Sequence, residues 1–316
     1  MVYIEALSKV LPIILLLLVG VLLNRMQFVR PETVQEIKKL VVNVTLPALL
    51  FLAFSQVRLE LQYFLIVGFV FAACFVVMLL GRIIRPALHI DSPYFPMLLT
   101  GFEAGMMGYA IYSAVYGQEN IYKFGIIDLG QVVFVFFVLV TVLERFSTGS
   151  KPFRETLAGF FKTPVILSIF AGVIFNQTGL TAIFTDWPLT NSIFETLSLM
   201  GSLTTPLVAM VIGYEMQLQS GDLLKPSLNI ASRLFIWVPI GLLLNFFIVD
   251  GLLNLDPTFQ AAVMTMFILP PPFIIPLFMS KSSIRDRDYV VNSLTISTIA
   301  TLFAFSIVTV LYPPVV

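Results

Sequence analysis

Stretches of about twenty apolar residues follow one another along almost the whole chain, which leaves little but a bundle of membrane-spanning helices as a fold. Ten such stretches fit, at roughly 6–25, 35–56, 62–84, 94–116, 121–145, 162–179, 192–216, 229–249, 258–279 and 289–312. The composition agrees. Of 316 residues, 58% are hydrophobic and 11% charged, and the mean hydropathy is +0.97, whereas soluble domains carry about 25% charged residues. The lone cysteine, Cys74, excludes a disulfide within the chain. The first stretch has the length of a signal-peptide core at Leu11 to Leu23. However, Glu5 precedes it and no basic leader or small-residue cleavage pattern flanks it, so it reads as the first span.

Charge is balanced overall and lopsided in its distribution. Of the 18 basic residues, all but Lys9, Arg58 and Lys123 fall on one side when ten spans alternate. By the positive-inside rule that side is cytoplasmic and both termini lie outside, in a plasma or bacterial inner membrane. Arg25, Lys38, Arg82, Lys151, Arg233 and Lys281 are among the inner residues, which leaves no cation expected at mid-depth. No basic patch points to nucleic acid.

Ten spans divide into two five-helix units, 1–160 and 161–316, that enter the membrane with opposite topology. Thr45-Leu46-Pro47 in the second span is echoed by Thr204-Thr205-Pro206 in the seventh, and the fourth and ninth spans are both abnormal for helices. Interrupted helices at matching places in inverted repeats point to a transport site at the bilayer midplane. The expected fold is thus all-α, polytopic, with helices 4 and 9 broken and crossing.

The ninth span holds Leu269-Pro270-Pro271-Pro272-Phe273-Ile274-Ile275-Pro276. Each interior proline removes a backbone donor and clashes with the preceding turn, so no continuous helix passes through. The fourth span holds Gly101-Phe102-Glu103-Ala104-Gly105-Met106-Met107-Gly108, whose glycines allow unwinding. Half-helix N-termini exposed at such breaks favour anions, which makes Ala104, Gly105, Met106, Gly108, Pro271, Pro272 and Phe273 candidate site residues.

Glu103 lies in the first break, near mid-membrane, where an ionisable group is a functional candidate. The alternative is a neutral glutamic acid that satisfies loose backbone. Asp128 and Gln131, three apart in the fifth span, share a helix face. Either they line the same pocket, or Asp128 is a solvated residue near the outer end. Asn43 and Thr45 either line the site or satisfy backbone freed by Pro47. Glu144, Glu215 and His89 read as interfacial. With one histidine and one cysteine, no common metal site can be built, and no catalytic motif occurs. No cofactor and no enzymatic activity are expected.

The motifs resemble those of the auxin efflux carrier family over nearly the whole chain. Leu11-Pro12 through Gly20 and Val41-Val42-Asn43 to Phe51 look like its first two helices. Met107-Gly108-Tyr109-Ala110-Ile111 is similar to its fourth-helix signature, Gln131 falls at a fifth-helix glutamine, and Pro271 to Pro276 matches the ninth-helix proline spacing. The resemblance implies a scaffold of helices 1, 2, 6 and 7 that also dimerises. It further implies an elevator-like transport domain of helices 3–5 and 8–10, and a small organic anion as substrate. Glu103 stands where the family usually has asparagine, and Ala110 replaces its usual proline.

An ionised Glu103 would repel an anion, so the expectation is proton-coupled symport with Glu103 neutral when substrate binds. Alternatives are a sodium-coupled symporter of bile-acid-transporter type, a carrier of a cationic or zwitterionic solute, and a membrane sensor that transports nothing.

Overall fold

The computed structural model describes residues 2–57, 60–147, 153–216, 218, 223–279 and 283–314. The molecule is 83% helix, with no strand among the described residues. Helices occupy every apolar stretch: α1 (Val2–Arg25), α2 (Pro31–Ser55), α3 (Tyr63–Ala87), α4 (Phe95–Leu98), α5 (residues 104–116) and α6 (Gln118–Glu144). They continue with α7 (Phe153–Lys162), α8 (Pro164–Gln177), α9 (Leu180–Asp186), α10 (Pro188–Glu215), α11 (Leu224–Asp250), α12 (Pro257–Ile268) and α13 (Ile284–Leu311). Six of these, α2, α3, α6, α10, α11 and α13, are long and apolar enough to cross a membrane. Three of the basic residues used for orientation, Arg58, Lys151 and Lys281, lie outside the described residues.

Helix association in lipid relies on close packing, because lipid tails are as apolar as the side chains. The α1–α10 contact shows this. A Cβ on Gly20 would lie 2.1 Å from the Met210 carbonyl oxygen, and one on Gly213 would lie 2.0 Å from that of Leu17. Only two glycines let these backbones touch. Helix α2 packs on α8 and on the first part of α10, so α1, α2, α8 and α10 form one contiguous group. Helix α3 packs on α6, and α11, α12 and α13 pack on one another.

Two interruptions set the centre of the molecule. The chain leaves helix after Leu98 and resumes at Ala104, and it leaves helix again at Leu269, resuming as a short 3-10 turn at Ile275–Phe278. Leu269 is extended (φ −62°, ψ 154°), as a residue before proline must be. Gly101 takes φ +68°, and a Cβ there would lie 2.8 Å from Pro272 Cγ. Both the left-handed conformation and the close approach of the proline segment require glycine at that position. The two broken segments therefore meet, and the Glu103 backbone N–H donates to the Pro270 carbonyl at 2.9 Å.

Candidate functional site

Glu103 is the N-cap of α5 and is buried, at 9% exposure. Its Oε1 accepts the Met106 backbone N–H at 3.0 Å and its Oε2 accepts the Phe273 N–H at 2.5 Å. One carboxylate thus satisfies donors from both broken segments. Each donor is a group that the break deprived of a helical acceptor. Beside it, Gly105 faces open space: the only heavy atom near a Cβ built there is Glu103 Oε1, at 4.0 Å. Ala104, Met106, Gly108, Pro271 and Pro272 are buried around the break, and Gly108 backs onto Phe124 and Leu269.

The carbonyl ends are held by a residue the sequence reading placed elsewhere. Arg233, in α11, is 2% exposed and donates from Nε to the Leu269 carbonyl (3.0 Å), from Nη1 to Leu98 (3.1 Å) and from Nη2 to Gly101 (2.5 Å). Its guanidinium lies 4.7 Å from the Phe102 ring centroid. Trp237, one turn on, donates Nε1–H to the Leu99 carbonyl at 2.7 Å, and Thr301 of α13 donates to Ile268 at 2.6 Å. Arg233 was counted as an inner-surface residue because it lies four positions into the expected span. Helix α11 begins at Leu224, so Arg233 sits about 14 Å along it at 1.5 Å per residue. A charge inside an apolar span was the available signal.

Asp128 is not a solvated end residue. It is 3% exposed, and its carboxylate accepts from Tyr109 Oη at 2.8 Å and from Gln131 Nε2 at 2.6 Å. Gln131 Oε1 accepts the Phe102 backbone N–H at 3.2 Å. The pair on α6 therefore braces the first break. Thr45 and Asn43 part company. Thr45 is buried and accepts from Thr204 Oγ1 at 3.0 Å, linking the two proline-bearing helices α2 and α10. Asn43 is exposed and bonds the Lys39 carbonyl at 2.7 Å, away from the breaks. His89 is exposed in its loop, as expected of an interfacial residue, whereas Glu144 is 4% exposed rather than solvated.

A cavity of about 770 Å³ reaches the second break at Phe273. Phe273 and Thr298 line it on one side, and Asn24, Arg30, Lys38 and Glu215 line it on the side of α1, α2 and α10. Lys38 bridges both Glu215 oxygens, at 2.9 and 3.0 Å, so Glu215 faces the cavity. Lys123, counted as an outer-loop residue, is 6% exposed. It pairs with Asp256 at 2.6 Å and also bonds Thr258, joining α6 to the start of α12. Among the described residues no cluster of three or more metal-ligating side chains occurs.

The structure is a helical bundle with two contacting interruptions that gather backbone N–H groups at one point. Residues 5–157 match the family model described as "Membrane transport protein". That match spans just under half of the chain and is consistent with the auxin efflux carrier family. The match takes in Glu103, Asp128 and Gln131, while the proline segment lies beyond it. No curated protein matches the chain.

Proposed function

We propose that the protein is a proton-coupled carrier of a small organic anion that binds where the two broken helices meet. The observation that carries this reading is the Glu103 carboxylate lying on the Met106 and Phe273 N–H groups. Those donors suit any carboxylate. When Glu103 is ionised it occupies them itself. When it takes a proton it becomes a poor competitor, and the substrate carboxylate replaces it. Proton and anion then enter the site together. Both oxygens of Glu103 face N–H donors, an arrangement that serves an anion and not a sodium ion, which needs oxygen ligands.

Further features support the wider scheme. Helices α1, α2, α8 and α10 pack as one group, as a scaffold of spans 1, 2, 6 and 7 would. The breaks recur in the fourth and ninth stretches, as two inverted five-helix repeats would place them. The cavity lies between that group and the segment around Phe273 with α13, where a moving transport domain would meet a fixed one. Arg30 beside it would draw anions from the cytoplasmic side, while the Lys38 charge is compensated by Glu215. In this reading both termini are extracytoplasmic, the protein resides in the plasma or inner membrane, and the scaffold pairs two copies.

The test is uptake by purified protein in proteoliposomes of radiolabelled mono- and dicarboxylates, with acetate and succinate as the simplest probes. Inward proton gradients should drive accumulation at least tenfold over equilibrated vesicles. Accumulation driven by sodium, with no response to the proton gradient, would overturn the proposal.

A further inference from the structure

We propose that Arg233 is a positioning residue for transport: by clamping the carbonyl ends of both broken helices, it aims the two N–H groups opposite at a single carboxylate. The inference rests on the crossover being the anion site, and it adds a part for a residue on a third helix.

The geometry supplies the argument. Leu98 and Gly101 belong to the first break and Leu269 to the second, and three nitrogens of one guanidinium reach all three carbonyls. Leu269 caps a twelve-residue helix whose dipole places partial negative charge there, and the carbonyls of Leu98 and Gly101 add two more acceptors, so the buried cation is met by oxygen on three sides. The planar guanidinium fixes the angles between its donors, and a lysine ammonium on a flexible stem cannot. The Phe102 ring beneath it and the Trp237 bond to Leu99 hold the group from two further directions.

Gly101 and Glu103 are two residues apart, and Leu269 and Phe273 are four. Gly101 and Met106 are five residues apart, so holding the carbonyls of Leu98, Gly101 and Leu269 restrains the N–H groups of Met106 and Phe273 through two short lengths of chain. Freed of Arg233, the two segments would keep, among the hydrogen bonds of the described residues, the Glu103–Pro270 backbone bond and the Glu103 carboxylate bond to Phe273 between them. The carboxylate bond weakens when Glu103 takes a proton, and the backbone bond alone then spans the two segments. Arg233 thus supplies the side-chain bonds that hold the two segments together in the state that receives substrate.

The test compares wild type with Arg233→Lys and Arg233→Gln by hydrogen–deuterium exchange, read on peptides covering 99–108 and 268–279. No ligand is needed. The Lys variant keeps the charge and should still fold, yet exchange in both segments should rise together by about tenfold while α1 and α10 stay unchanged. Titration of acetate and succinate at pH 5.5 should then show a dissociation constant at least tenfold weaker. A merely structural role would raise exchange throughout the chain, or lower the yield of folded protein and leave the constant within twofold. Either result would overturn the inference, as would unchanged exchange in the two segments. Wild type that binds neither probe would instead count against the anion-site reading, while the exchange experiment would still decide the role of Arg233.

Discussion

The two sides of the crossover are built on different plans. At the carbonyl ends Arg233, Trp237 and Thr301 bond Leu98, Leu99, Gly101, Ile268 and Leu269 from α11 and α13, all buried. At the N–H ends one titratable side chain from within the break, Glu103, bonds Met106 and Phe273. The first side has partners that keep their hydrogens at any physiological pH. The second has a partner that one proton can dismiss. In the proposed proton-coupled carrier, this asymmetry is what frees one side of the site for a ligand.

Substitutions on the permanent side should damage the fold more than the response to pH. Gly101→Ala offers the clearest case, since φ +68° costs an L-residue about 1–2 kcal/mol and its Cβ would press on Pro272. Overpacking adds roughly 1–3 kcal/mol. The expected outcome is a large loss of thermal stability. In whatever protein still folds, the ratio of carboxylate binding at pH 5.5 to that at pH 7.5 should be preserved. A stable variant with an altered ratio would erase the distinction between the two sides.

A smaller effect isolates Glu103 from other acids. Burial works against the ionised form of Asp256, but its hydrogen bond to Lys123, those from Thr258 and the Lys123 charge outweigh it and hold the carboxyl below its ordinary value. A depressed carboxyl contributes stability that is present above the unfolded value, near 4, and is lost as pH falls through the folded one. Asp256 is half exposed, so its pair with Lys123 is worth at most about 1 kcal/mol after screening. Between pH 5.5 and 7.5 it stays ionised. Asp256→Asn should therefore lower the melting temperature slightly without changing how carboxylate binding depends on pH across that window.

Much of the fold was legible because its signals are local. Proline triplets cannot be helical, and Gly101 through Gly108 invites unwinding, so both breaks could be placed to within a few residues. Glu103 was legible for the same reason, being an acid inside a break. Arg233 was not, because its meaning lies in three carbonyls on two other segments, and an expected span starting five residues late put it near the surface. The burial of Lys123 was not legible either, since its partner Asp256 is distant in sequence. Asn43 and Thr45 were considered together, yet residues two apart on a helix point to nearly opposite sides. A π-turn at Val41–Thr45 shifts the phase further, so one faces Thr204 and the other faces outward.

The most direct test of the central claim is calorimetric binding of acetate and succinate to wild type and Glu103→Gln at pH 5.5 and 7.5. If Glu103 competes with substrate for the Met106 and Phe273 N–H groups, wild type should bind at least tenfold more tightly at pH 5.5. Glu103→Gln should bind comparably at both values, near the acid-side affinity of wild type. A Glu103→Gln variant that keeps the full pH dependence of wild type would contradict the account.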